Sequence, residues 1–304
     1  MSGTVLILGA SGRFGRHAAE AFWNAGWQVR IFDRTTDDLV SAANGADVIV
    51  NAWNPPYTEW AGALPELTER VIDAARISGA NIIFPGNVYG YGPGAPSLIT
   101  AKTPMAATNP LGRIRIQIEE AYRTSGVQTI VLRAGDYIDT EASGNWFDKI
   151  ITAKRPKGIV VAPGAPEAPH AWAFLPDLAR AAVDLAEKRE TLSQFEDVLF
   201  SGFTLSIDDL AGLISTATGR PMRVRRMNWL PLWCLAPFWR MAGKLLEMRY
   251  LWSMPHALDD ADMARLLPGF RATDPLTAVA AALGQSDIDP NQAMPRGTLD
   301  IAAE

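Results

Sequence analysis

The stretch "LILGASGRFGR", residues 6–16, passes from an apolar strand through three glycines into a helix pattern around His17 to Asn24. Gly9, Gly12 and Gly15 are spaced G-x-x-G-x-x-G. Glycine at such a strand-to-helix turn lets the backbone come close to a pyrophosphate, and the helix start offers unpaired N–H groups at its positive end. Ser11, Arg13 and Phe14 complete this candidate phosphate loop. The next strand ends in "IFDR", which puts Asp33 where a carboxylate accepts the ribose hydroxyls of a dinucleotide. Asp33 would repel the 2′-phosphate of NADP, whereas Arg34, Arg13 and Arg16 could pair with it. Both cofactors therefore stay open, with NAD favoured. Arg16 reads equally well as a solvated surface residue.

Outward from this turn, strand and helix patterns alternate through the first two thirds of the chain, which predicts an α/β doubly wound parallel sheet. Apolar runs at Val5–Leu8, Val29–Phe32, Val48–Val50, Ile82–Phe84 and Gln128–Leu132 read as strands. In "TNPLGRIRIQIEEAY", residues 108–122, Pro110 suits a first helical turn, and Leu111, Ile114, Ile118 and Ala121 recur at helical spacing. Yet Arg113 and Arg115 sit where the helix dipole disfavours cations. From about residue 145 the rhythm loosens. "RPKGIVVAPGAPEAPH" reads as a loop with one short strand, leaving His170 in the loop before the helix "LPDLARAAVDLAE". The expected organisation is a dinucleotide-binding domain over 1–145 plus about 172–200. A smaller substrate lobe takes about 146–171 and 201–285, and a polar tail 286–304.

The 304 residues are 48% hydrophobic with a net charge of −5, which gives no electrostatic reason to expect nucleic acid or anionic lipid. The one cysteine, Cys234, excludes an internal disulfide and a Cys-based zinc site. His17, His170 and His256 lack metal-ligand spacing. "MSGTVLILGA" has no positive n-region and too short an apolar run for a signal peptide. "WLPLWCLAPFW", residues 229–239, is broken by Pro231 and Pro237 and falls short of the roughly 20 apolar residues of a membrane span. A cytoplasmic protein with a small-molecule substrate, no metal, no nucleic acid and no membrane is expected, and a homodimer stays open. The aromatic block from Trp229 to Trp252 reads as a pocket lid, a dimer surface or, more simply, the core of a small lobe.

Several motifs in order resemble the extended (atypical) short-chain dehydrogenase/reductase family of NAD-dependent epimerases and dehydratases. "GASGRFG" looks like its nucleotide loop, and "DVIVNAW" like the strand that ends beside the adenosine ribose, which adds Ala52 and Trp53 to the cofactor contacts. "NVYGYG", "VLRAGDYI", "WAFLPDLARAAVDLAE" and "LLPGFRATDPLTAVAAAL" resemble later family segments, and the likeness spans about residues 3–280. The resemblance implies a Rossmann fold, NAD or NADP, and a Ser, Tyr and Lys at the reacting centre. Here those three positions fall on Pro85, Leu111 and Arg115. Proline and leucine cannot move a proton. The short interval from Asp33 to Asp47 also leaves no room for the family's third strand, which lies at the sheet edge.

Replacements follow from the same register. Arg115 sits where the resembled lysine reaches the nicotinamide ribose; its simpler reading is a salt bridge to Glu119. Asp136 stands at a substrate-facing position, either as a base or as a partner of Arg133. Tyr89 and Tyr91 are the nearest phenols to the missing one, Asn87 either serves a ligand or satisfies its turn, and His170 is a further candidate acid. The first reading is therefore an NAD(P)-binding oxidoreductase or epimerase-like enzyme with a non-standard site. The second is a cofactor-sensing regulator or scaffold resembling the NmrA-like proteins.

Overall fold

The computed structural model describes residues 3–285; the expected tail over 286–304 lies outside them. The strands run β1 Thr4–Leu8, β2 Gln28–Phe32, β3 Val48–Asn51, β4 Asn81–Gly86, β5 Leu98–Ile99, β6 Thr129–Arg133 and β7 Asp136–Ile138. They continue with β8 Ile159–Ala162, β9 His170–Phe174, β10 Phe195–Leu199, β11 Phe203–Leu205, β12 Arg223–Arg226 and β13 Ala257–Leu258. The α-helices are α1 Arg13–Asn24, α2 Leu39–Ala43, α3 Trp60–Ser78, α4 Pro110–Thr124 and α5 Leu175–Glu187. After them come α6 Ile207–Thr218, α7 Leu230–Leu235, α8 Arg240–Glu247, α9 Ala261–Leu266 and α10 Pro275–Ala282.

Six strands form one parallel sheet in the order β10-β6-β4-β3-β1-β2. The middles of its central strands are continuous apolar runs because helices cover both faces. Along β1, Leu6 and Leu8 enter one core with α2, α3 and α4, while Val5 and Ile7 enter the other with α1 and α5. β2 is the edge, and only α2 separates it from β3, so the position of a third strand is vacant in the sheet order. Ile31 is correspondingly 40% exposed. The chain leaves β1 toward β2 and returns on the other side of β1 to form β3. That reversal opens a crevice at the carboxyl ends of β1 and β3, the usual ligand position in doubly wound sheets.

Elements after β6 build a third core from Ile138, Phe147, Val160, Trp172, Phe203, Leu210, Trp229 and Trp252. Small sheets β11-β9-β7 and β12-β8 frame it, β13-β5 packs instead into the core of α2, α3 and α4, and β10 returns to the main sheet beside β6. His170 is the first residue of β9 and is buried, not in a loop as the proline-rich sequence suggested. Backbone pairing with Leu205 of β11 holds it extended despite the flanking prolines.

Candidate active site

The glycine turn is shaped by contacts that leave no space for side chains. Gly9 has φ +75°, where β-carbons are strained, and the Gly12 N–H donates to its carbonyl at 3.0 Å. A Cβ on Gly15 would lie 1.9 Å from the Gly9 oxygen. A Cβ on Gly9 would meet Trp53 Cδ1 at 3.1 Å, so the ends of β1 and β3 close on each other there. Gly12 caps α1 without a side-chain hydrogen bond. The N–H groups of Arg13, Phe14 and Gly15 therefore face outward with no intrahelical acceptor.

Around this turn, Phe14 is buried and Ser11 exposed. Trp53 packs edge-on against Phe32, 5.4 Å between centroids, with Ala52 donating its N–H to Leu8. Asp33 Oδ1 accepts from the Thr35 N–H at 2.8 Å and the Thr35 hydroxyl at 2.6 Å. These bonds hold its carboxyl below the usual range. Arg34 beside it is exposed. Arg13 instead donates to the Ser143 carbonyl (3.0 Å) and the Gly144 carbonyl (2.8 Å). Arg16 is not a free surface cation: it pairs with Asp139 and Glu141. Burial alone would raise the Asp139 pKa, but hydrogen bonds from His17 (2.9 Å) and Arg16 outweigh it and hold the carboxyl far below its usual range.

The arginine-bearing helix α4 is capped from a distance. Glu247 of α8 accepts the Leu111 N–H at 2.6 Å and the Asn109 amide at 3.0 Å, while Lys244 holds its other oxygen at 3.1 Å. An anion at this end offsets the unfavourable placement of Arg113 and Arg115 in the first turns. Arg113 is exposed; Arg115 is buried. Its guanidinium lies 4.7 Å from the Trp60 ring centre and 5.2 Å from that of Phe84, and among the described residues its Nε has no hydrogen-bond partner. Burial lowers its pKa from the usual arginine value. Leu111, at the resembled tyrosine position, is fully buried.

Glu119 does not pair with Arg115, because Arg133 takes both of its oxygens at 2.6 and 3.2 Å. Arg133 also binds Asp197 at 2.8 Å and the Asn87 carbonyl at 2.7 Å, and is itself fully buried. Burial opposes its charge, yet Glu119 and Asp197 raise its pKa well above the usual value. The expected alternative pairing of Arg133 with Asp136 is thus overturned: the two carboxylates on α4 and β10 already saturate the guanidinium fork.

Asp136 is released for another partner. Its Oδ2 lies 2.7 Å from His170 Nε2. A carboxylate only accepts, so Nε2 carries the proton. The Asp136 side chain is 20% exposed and that of His170 4%, so the carboxylate faces the open side and the imidazole backs it. His170 stacks on Trp252 with centroids 4.4 Å apart and meets His256 edge-on at 4.4 Å. Tyr89 also belongs to this wall, but its hydroxyl bonds that of Tyr57 at 2.6 Å. Burial raises both phenols above 10, Tyr89 strongly, so neither is a base near neutrality. Asn87 satisfies its own turn by accepting the Tyr89 N–H at 3.0 Å. Tyr57, Trp60, His256 and Glu247 escaped sequence reasoning; only the aromatic run "WNPPYTEW" hinted at the first two.

His256 Nδ1 donates to the Met254 carbonyl at 2.9 Å, which leaves a buried Nε2 without a partner among the described residues. Burial and then the neighbouring His170 push its pKa down to about 4. Between about 4 and the ordinary 6.5 the unfolded chain binds the extra proton, so stability rises with pH across that window and is lost on acidification. His256→Gln should flatten the dependence of Tm on pH between these limits, recovering on the order of 3 kcal/mol at the acid end relative to the parent. An unchanged slope would assign the acid sensitivity to other groups.

No protein-family model and no curated protein matches the chain. Solved structures do. MoeE5 in complex with UDP-glucose and NAD is 16% identical, with 93% of this chain and 98% of that one covered at a TM-score of 0.70. The NAD-dependent NDP-hexosamine 5,6-dehydratase TunA is 13% identical, with 93% and 97% covered at 0.72. A nucleoside-diphosphate-sugar epimerase from Pseudomonas aeruginosa is 18% identical, with 94% and 97% covered at 0.67. At these identities the likeness establishes the fold alone: a Rossmann-type parallel sheet with a C-terminal lobe, as in those three structures. Among the described residues no helix is long and apolar enough to cross a membrane.

Proposed function

We infer that the chain binds NAD in the crevice between β1 and β3 and acts as an oxidoreductase or epimerase-like enzyme on a small molecule. The observation that carries the reading is the uncapped start of α1 behind a turn with no room for side chains. Such a turn fits a pyrophosphate, with the N–H groups of Arg13, Phe14 and Gly15 as donors and Ser11 beside them. Ala52 and Trp53 would wall the adenosine side. Arg115 would meet the far ribose, which supplies the acceptor that its buried Nε lacks. Bound NAD supplies a hydride acceptor or donor. Asp136 is the group that takes or returns the substrate proton, with His170 as its positioning partner. Nucleoside-diphosphate sugars are the substrates to test first, since similar folds are solved with UDP-glucose and UDP-glucuronic acid.

NAD is favoured over NADP because Arg13 and Arg16 are held by the 139–144 segment. Of the three arginines weighed for a 2′-phosphate, only the exposed Arg34 is left. Tryptophan quenching with NAD, NADP and their reduced forms tests the assignment. Saturable NAD binding, about tenfold tighter than NADP, is expected, and Asp33→Asn should lose about tenfold in NAD affinity while narrowing the preference. Binding of none of the four sinks the reading. Tight binding without turnover across a sugar-nucleotide and carbonyl panel would favour the cofactor-sensing regulator instead.

A further inference from the structure

The lobe carries an exposed apolar surface. Trp229 anchors its base: the ring is 8% exposed and its Nε1 donates to the Pro163 carbonyl at 2.7 Å. Beyond it the chain turns outward. No residue of α7 is buried. Leu230 is 64% exposed, Trp233 56%, Leu235 46%, Phe238 89% and Trp239 47%. Large apolar side chains so exposed and so close in sequence mark an interaction surface rather than scattered surface residues.

Along the chain, the charge on either side of this patch is one-sided. Arg220, Arg223, Arg225, Arg226 and Arg240 flank it, and no Asp or Glu occurs from residue 210 to 246. Among the described residues none of these five arginines makes an ion pair, in contrast to Arg16, Arg133, Arg180 and Arg265 elsewhere. The whole-chain balance of −5 conceals this local excess.

We propose that the 220–240 segment docks the protein onto an anionic phospholipid surface, with Trp233, Phe238 and Trp239 entering the headgroup boundary and the arginines pairing with lipid phosphates. Tryptophan and phenylalanine favour that boundary, and unpaired cations gain there from the negative surface potential. The apolar run is too short to span, so insertion is shallow. A second copy fits poorly, because two-fold pairing of this face would bring the same unpaired arginines together. The net negative remainder of the chain is repelled by the same surface, which orients the patch toward it.

Cys234, the single cysteine, is exposed inside the patch and reports on it without further substitution. The full chain labelled there with a polarity-sensitive fluorophore, and the unlabelled chain in parallel sedimentation, are mixed with two kinds of vesicle. One is phosphatidylcholine alone, the other phosphatidylcholine with phosphatidylglycerol. A blue shift and co-sedimentation with the anionic vesicles are expected, about tenfold weaker with the neutral ones and weakened by salt. Phe238→Glu with Trp239→Glu, and separately Arg225→Glu with Arg226→Glu, should each cut binding about tenfold with unchanged thermal melts. Absence of partitioning into either vesicle overturns the proposal. So does a lipid-free dimer that Phe238→Glu converts to monomer, which would assign the face to a second copy.

Discussion

Glu119→Ala should destabilise the protein by about 3–5 kcal/mol, the cost typical of breaking a buried ion pair from one side. Arg133 is fully buried, and Glu119 provides two of its charge-assisted hydrogen bonds. Removing that carboxylate leaves Asp197 as the one anionic partner of Arg133 among the described residues. It also removes the anion that most supports the Arg115 charge. Two cations and two carboxylates now balance across α4, β6 and β10; the variant would hold two cations against one. Urea titration measures the loss, and Glu119→Gln separates its causes by keeping a hydrogen-bond acceptor without the charge. A loss below about 1 kcal/mol for Glu119→Ala would mean that entering water compensates the guanidinium, contrary to its burial.

Asp136→Asn should lower turnover by about 10²–10⁴-fold with cofactor affinity nearly unchanged. The amide keeps the size of the carboxylate but cannot take a proton. His170→Gln tests the support role separately. Glutamine can still donate a hydrogen bond to Asp136, so a smaller drop accompanied by a displaced pH profile is expected for a positioning residue. Full activity in Asp136→Asn would move the proton transfer to another group and remove the enzyme reading offered for this dyad. Tyr89→Phe, by contrast, deletes a phenol that is already hydrogen-bonded to Tyr57 and held neutral by burial. It should cost far less.

The amino-acid sequence by itself determined the class of the sheet, its glycine turn and the missing edge strand. Those properties are local: they follow from apolar runs, from glycine spacing and from the few residues between Asp33 and Asp47. The order of strands agrees with that reading. Which charged groups meet was decided by tertiary structure alone. Arg133 and Asp136 are close in sequence, yet one joins Glu119 and Asp197 and the other His170, because β6 and β7 belong to different sheets. Glu247 reaches the start of α4 from 136 positions away in the chain, a cap that no local pattern around Asn109 announces. The aromatic block likewise divides, with Trp229 and Trp252 entering the lobe core while Trp233, Phe238 and Trp239 remain outside. Spacing along a chain records which face of one element a residue shares. Pairing across elements depends on where each strand ends, and only the folded arrangement supplies that.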